Sequence, residues 1–355
     1  MNKWNFKTTR RNSKGKIELV DISSEQQAKI SLYEKALELA VVSNVANPIF
    51  SKYFVKESIG FKGHQIVPAG NIEYGFCQAL HGEESAVASL LSFYDLHGIK
   101  VKELNLQNLI LGIITKGMAM PCGNCRDLLL DTFGENFEIV AGDPQGDGLA
   151  IVSQMKDYLY EDFGKAVTPF HIAALKKSYP FSAKEFNQLR EITLKEGAKL
   201  NNDAYSPREN NRDYYALIVT EKNKFFGSHD VMADYHPIYA LTDAIRQARR
   251  ANDPFIKYVM IVRKVKVKQD TDVITPPHIM YKDRQHLLEL NLQAELISGK
   301  RQNPPIYIVN SNPDNSIYFW KTSVKEWLPI PFSPETFGKE FVQFLKKYYK
   351  NKTRE

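Results

Sequence analysis

Four residues in this chain have the types and spacing to do chemistry together. His81 and Glu83 open the run HGEESAVASLL, and Cys122 and Cys125 lie in MPCGNCRDL. Two thiolates and an imidazole are ligands that a zinc ion favours. Three protein ligands would leave a fourth position for water or substrate, as in catalytic rather than structural sites. Glu83, beside that position, has the chemistry of a proton shuttle. Two other readings stay open. A Cys-x-x-Cys pair can be a redox couple, though that chemistry has no need of a His-x-Glu upstream. Cys77, four residues before His81, would with His81, Cys122 and Cys125 make a closed Cys₃His structural site.

These residues need elements to position them. Behind His81 come Ala86, Val87, Leu90 and Leu91, which is helical spacing, and behind Cys125 come Leu128, Leu129 and Leu130 after a helix-entry Pro121. Between them LNLQNLILGIITKGM carries an apolar, β-branched run that reads as a buried strand. The predicted order is helix, strand, helix, with His81 and the cysteine pair at two helix starts. A helix N-terminus favours the thiolate. His81 and Glu83, at i and i+2, can converge only if His81 stands half outside the helix.

The rest of the chain sets the frame. With 355 residues, 43% hydrophobic and 12% aromatic, it is an ordinary globular chain long enough for two domains. Three cysteines are too few for a disulfide scaffold. The basic opening MNKWNFKTTRRNSKGK has no apolar segment behind it, and no run is long enough to span a membrane. A soluble, cytoplasmic protein is expected. Of the net charge of +6, residues 1–20 supply +5 and residues 346–355 supply +4, which leaves −3 for the body. That is not the charge of a nucleic-acid groove, so the two ends read as solvated basic tails.

His-x-Glu followed by Pro-Cys-x-x-Cys resembles the zinc-deaminase signature, and the surroundings resemble the cytidine deaminase family. AGNIEYG (69–75) is similar to that family's ribose-binding Gly-x-Asn-x-Glu segment, PCGNCRDLL to its Pro-Cys-Gly-x-Cys-Arg-Gln run, and DYLYEDFG (157–164) to its closing motif. Histidine as first ligand resembles the dimeric, two-domain branch. NDAYSP (202–207) and KEWLPIPFSPETF (325–337) look like a second copy of the family's segments. A shift of 158 residues puts His81 and Glu83 on Tyr239 and Leu241, and Cys122 and Cys125 on Met280 and Asp283. The copy thus lacks the metal chemistry. The pattern departs from the family in two places. Gly82 stands where alanine is usual, and Phe50-Ser51-Lys52-Tyr53-Phe54-Val55-Lys56-Glu57 stands where Tyr-Ser-x-Phe-x-Val-Gly-Ala is usual. HGIKVKELN (97–105) reads as an extra loop.

The resemblance implies an α/β protein of two three-layer α/β/α deaminase-like domains in tandem, the second degenerate. The expected division is a basic tail over 1–24, a catalytic domain over 25–165, a linker over 166–188, the degenerate domain over 189–345 and a basic tail over 346–355. It implies Zn²⁺ on His81, Cys122 and Cys125, with Glu83 as the acid–base residue. Arg126 would offset the thiolate charge, Asn71 and Glu73 would hold the sugar, and Phe50 and Tyr53 would wall the base. The substrate would be a nucleoside, cytidine or deoxycytidine, and the protein a homodimer. Another cytosine-containing substrate, or a non-catalytic zinc-stabilised binding protein, are the alternatives.

Overall fold

The computed structural model describes residues 4–12, 17–49, 51–75, 78–145, 148–158, 181–200, 202–203, 214–231, 238–265, 276–277, 279–312, 317–328 and 339–352. The chain forms two compact units, Met1–Tyr160 with Pro329–Leu345, and Glu161–Leu328 with Lys346–Glu355. Both are mixed α/β.

The first unit is built on strands β1 (Asn5–Arg11), β2 (Ile17–Asp21), β3 (Lys56–Phe61) and β4 (Val67–Gly70), with a hairpin of β5 (Ile72–Gly75) and β6 (Gln78–Leu80). It continues through β7 (Leu109–Ile114), β8 (Glu138–Gly142) and β9 (Leu149–Gln154). Apart from the hairpin, these form one sheet in the order β2-β1-β9-β8-β7-β3-β4. Its helices are α1 (Ser24–Gln27), α2 (Ile30–Val42), α3 (Gly82–Leu96), α4 (Gly123–Phe133) and α5 (Met155–Tyr158).

Alternation along a strand decides which helix lies on which face. Ser58 on β3 donates its hydroxyl hydrogen bond to the Ala36 carbonyl of α2 at 2.7 Å, so α2 covers that face. Tyr33, Ala36, Leu37 and Ala40 recur at helical spacing and are fully buried there, with Trp4, Phe6, Ile110, Ile114, Val140 and Val152. Gly112 on β7 lets α2 lie close, since a Cβ would meet the Ala36 backbone at 2.9 Å. Glu57, one residue from Ser58, points to the opposite face, against the start of α3.

The second unit adds β10 (Asn202–Asp203), β11 (Tyr214–Thr220), β12 (Lys224–Gly227), β13 (Asp230–Val231), β14 (Ile256–Lys264), β15 (Pro305–Ser311) and β16 (Ile317–Ser323). Its helices are α6 (Ala183–Leu200), α7 (Ala240–Arg250), α8 (Tyr281–Ser298) and α9 (Val324–Trp327), and α10 (Lys339–Lys352) closes the described chain. The main sheet runs β12-β11-β14-β15-β16, with β14 and β15 parallel and the other neighbours antiparallel. β4-β3-β7-β8-β9 has the same order and the same senses.

The copy holds residue by residue at the helix starts. His81 is the N-cap of α3 and Tyr239 that of α7, while Cys122 caps α4 and Met280 caps α8. Arg126 Nε donates to the Pro121 carbonyl at 2.8 Å, and Arg284 Nε donates to the Ile279 carbonyl at 3.0 Å. All these pairs are 158 residues apart.

Three expectations need correction. Residues 4–12 and 17–24, the described part of the expected tail 1–24, are not a solvated tail, because β1 pairs in parallel with β9, β2 pairs with β1, and Trp4 and Phe6 are core. Lys7, Arg10 and Arg11 are therefore residues of a sheet strand, and Lys7 is paired with Asp21 at 2.6 Å. Of the expected linker 166–188, the end is folded: Phe181 and Phe186 are buried in the second unit's core. The expected tail 346–355 is helical as far as Lys352. The motif residues 159–164, 204–207 and 329–337 lie outside the described residues.

Candidate metal centre and its surroundings

Two helix starts and the strand between them build the site. β7 is buried at every residue, and α3 and α4 flank it in sequence as the apolar spacing implied. His81 has extended backbone angles (φ −68°, ψ 158°) and so stands half outside α3. That placement allows residues i and i+2 to approach one centre. Cys122 is likewise extended at the start of α4, and Cys125 follows one turn in.

The donor atoms converge. His81 Nδ1 lies 3.4 Å from Cys122 Sγ and 3.3 Å from Cys125 Sγ, and the two sulfurs are 3.5 Å apart. Tetrahedral zinc, with bonds of about 2.3 Å to sulfur and 2.0–2.1 Å to nitrogen, spaces such ligands about 3.5–3.8 Å apart. The observed spacings lie within about 0.3 Å of these, so the three residues fit the ion with small side-chain shifts. His81 is exposed, Cys122 half-buried and Cys125 buried, so the group is open on the histidine side. Cys77 lies outside the described residues.

Protonation follows from these contacts. Hydrogen bonding from Cys125, aided by His81, holds the Cys122 thiol down to about 4, while burial pushes Cys125 well above the usual thiol range. Hydrogen bonding to Cys122 raises His81 to about 9, against the opposing effect of burial. Without metal the trio is a thiolate beside an imidazolium, charges that a cation would replace.

Glu83 is 6% exposed, and burial together with the Cys122 thiolate pushes it up to about 7. A carboxyl with that acidity can both take and give a proton at neutral pH.

Glu84 was not singled out in the sequence. One of its oxygens accepts from the His81 backbone N–H at 2.8 Å and the other from Asn124 Nδ2 at 3.0 Å. It thereby ties the starts of α3 and α4. The acidic residue three past an N-cap was the signal that could have found it. Arg126 is fully buried rather than a surface arginine, and its guanidinium lies 5.0 Å over the Tyr158 ring. Its bond to Pro121 fixes the backbone just before Cys122.

Asn71 and Glu73 hold protein backbone. Asn71 Oδ1 accepts from Val55 N at 3.0 Å, its amide donates to the Tyr53 carbonyl at 2.8 Å, and Glu73 accepts from Ser51 N at 2.9 Å. Together they fix residues 51–55. Tyr53 hydrogen-bonds the Lys116 carbonyl at 3.2 Å. Its hydroxyl is pushed up, first by burial, with the Asp143 and Glu83 charges adding to the rise. Phe50 lies outside the described residues. AGNIEYG is strand on both sides of Asn71.

No protein-family model and no curated protein matches the chain. Solved structures do. A cytidine deaminase from Burkholderia pseudomallei is 18% identical over 39% of this chain and 98% of its own, with a TM-score of 0.29. One from Mycobacterium leprae is 22% identical over 36% of this chain and 97% of its own, with a TM-score of 0.26. One from Mycobacterium tuberculosis is 23% identical over 36% and 91%, also at 0.26. At these values the chemistry has to be argued from this chain's own residues. No helix among the described residues is long and apolar enough to cross a membrane.

Proposed function

We propose that this protein is a zinc-dependent hydrolytic deaminase, converting cytidine or deoxycytidine to uridine or deoxyuridine with release of ammonia. The observation that carries the reading is the convergence of His81, Cys122 and Cys125 beside a buried Glu83 held near neutrality. A purely structural metal site has no use for such a carboxyl.

When bound, zinc lowers the pKa of a water into the neutral range and so supplies a nucleophile. His81, Cys122 and Cys125 hold the ion, and the open side at His81 admits the substrate. Glu83 takes one proton from the attacking water and passes it to ring N3 as oxygen adds to C4. It then carries the second proton to the exocyclic nitrogen, the C4–N bond breaks, and ammonia leaves. Water and cytosine are thus fully accounted for as uracil and ammonia. Arg126, with its charge buried behind Cys125, counters the two thiolates. Asn71 and Glu73 act on the sugar through the 51–55 segment that they hold, and Tyr53 walls the base. By the family resemblance, we also read the protein as a cytoplasmic homodimer.

The test is ammonia release from cytidine and deoxycytidine by zinc-loaded protein and by Glu83→Ala. The expected result is a rate lower by about 10²–10⁴-fold in the variant, with zinc content unchanged. Zinc-loaded wild type that releases no ammonia from either nucleoside sinks the substrate assignment.

A further inference from the structure

The two departures from the family pattern meet in space. Glu57 points from β3 at the start of α3, and a Cβ built on Gly82 would lie 2.4 Å from Glu57 Oε1 and 2.7 Å from its Cδ. Alanine at 82 would therefore displace the Glu57 carboxyl from the position it holds here. The glycine is what gives the carboxyl its place, between the residue that follows His81 and the core of the sheet.

That carboxyl is fully buried, and neither of its oxygens has a hydrogen-bond partner among the described residues. It lies against Gly82, the residue between His81 and Glu83, and so borders the same site; burial first, then the Glu83 and Cys122 charges, push it well above the usual carboxyl range. A buried polar group left unsatisfied costs its full desolvation penalty, so its retention points to a partner that arrives with the ligand. A carboxyl in either protonation state accepts hydrogen bonds. The partner must then bring a donor.

Cytosine is poorly suited to supply one. Its amino group is its only donor on the base edge and is the group that leaves, while O2 and N3 accept. Glu83 already serves the reacting edge. We propose that Glu57 is a specificity-determining residue that accepts a hydrogen bond from a second N–H donor of the substrate ring. The site then favours an amino-substituted heterocycle with an adjacent amino or ring N–H group, such as a 2,4-diaminopyrimidine or a 2-amino-lactam, over the cytosine that the same machinery also deaminates. Gly82 makes room for that carboxyl. This inference rests on the deaminase reading and changes only the ring.

The experiment uses the zinc-loaded full chain. Binding is read by calorimetry in a Glu83→Gln background, and ammonia release in the Glu83 protein. The probes are cytidine, 2,4-diaminopyrimidine and guanosine. The Glu57 versions are wild type, Glu57→Gln, and the pair Glu57→Ala/Gly82→Ala, which refills the vacated space. We expect a two-donor ring to bind at least tenfold more tightly than cytidine. We expect the alanine pair to lose that preference while still binding cytidine, with Glu57→Gln retaining part of it. A ranking that does not change with the residue at 57, or a wild-type preference for cytidine, overturns the inference and leaves the deaminase reading standing. Ammonia released from none of the rings by the Glu83 protein overturns both.

Discussion

Glu84 on α3 accepts a hydrogen bond from Asn124 on α4 at 3.0 Å, linking the helix that starts at His81 to the helix that starts at Cys122. Its other oxygen takes the His81 backbone N–H at 2.8 Å. One carboxylate therefore sets the distance between ligands 41 residues apart. Outer contacts of this kind typically change metal affinity by about 10–100-fold when removed. Glu84→Ala is expected to weaken zinc binding within that range, measured by competition with a chelating dye, while Glu84→Gln retains part of the affinity. Unchanged affinity in Glu84→Ala would show that the helices are positioned by their packing alone.

The parts of this site that sequence makes legible are those with local causes. An apolar, β-branched run gives β7, and an N-capping position before periodic apolar residues places His81 and Cys122 at helix starts. The parts that stay hidden depend on what meets what across the fold. Glu57 sits in the polar-looking pair Lys56–Glu57, and only the approach of α3 to β3 buries it. Residues 5–11 carry so much charge that the pairing of β1 with β9 leaves little trace in composition. Asn71 and Glu73 are conspicuous by motif, yet their contacts with the 51–55 backbone are a matter of tertiary geometry.

Cys122 makes a prediction for the metal-free protein. Hydrogen bonds from Cys125 and His81 hold its thiol down to about 4, and the thiolate is the reactive form. In Cys77→Ser protein stripped of metal, its alkylation by iodoacetamide should stay nearly constant from pH 8 to pH 5 and fall only on approach to pH 4. An ordinary thiol, titrating near 8.5, loses about tenfold per unit over the same range. The sign carries over to stability. A folded-state pKa below the unfolded value means that the unfolded chain binds the proton more tightly, so this group's contribution is lost as the pH falls through about 4. Peptide mapping should show Cys125, raised by burial, unmodified, and added zinc should protect Cys122.

The second unit keeps the helix starts and loses the ligands. Where the first has His81, Cys122 and Cys125, the second has Tyr239, Met280 and Asp283. Asp283 is already engaged, accepting from Thr242 Oγ1 at 2.6 Å and from the Tyr214 hydroxyl at 3.5 Å. Elemental analysis should therefore give one zinc per chain, falling towards zero in Cys122→Ser/Cys125→Ser. Two per chain in the wild type would mean that the copy binds metal through other groups.

That same cluster predicts a purely structural role for Asp283, which is 1% exposed. Asp283→Ala leaves the Tyr214 hydroxyl buried without its acceptor, a cost of about 1–3 kcal/mol, and leaves Thr242 Oγ1 with His286 Nδ1 at 3.2 Å as its partner. The expected result is a lower midpoint in urea with zinc content and the state of Cys122 unchanged. A parallel loss of zinc would instead tie the second unit to the metal centre.

Deleting residues 1–21 tests whether the basic opening belongs to the fold. The deletion removes Trp4 and Phe6 from the core around Tyr33, and burial of one large apolar side chain contributes roughly 1.5–3 kcal/mol. It also strips β1 from β9, whose unpaired edge becomes a template for pairing with another chain. The truncated protein should lose several kcal/mol of stability and aggregate on concentration, as read by urea denaturation and light scattering. A truncation that keeps the full chain's oligomeric state with an unchanged urea midpoint would return these residues to the status of a tail.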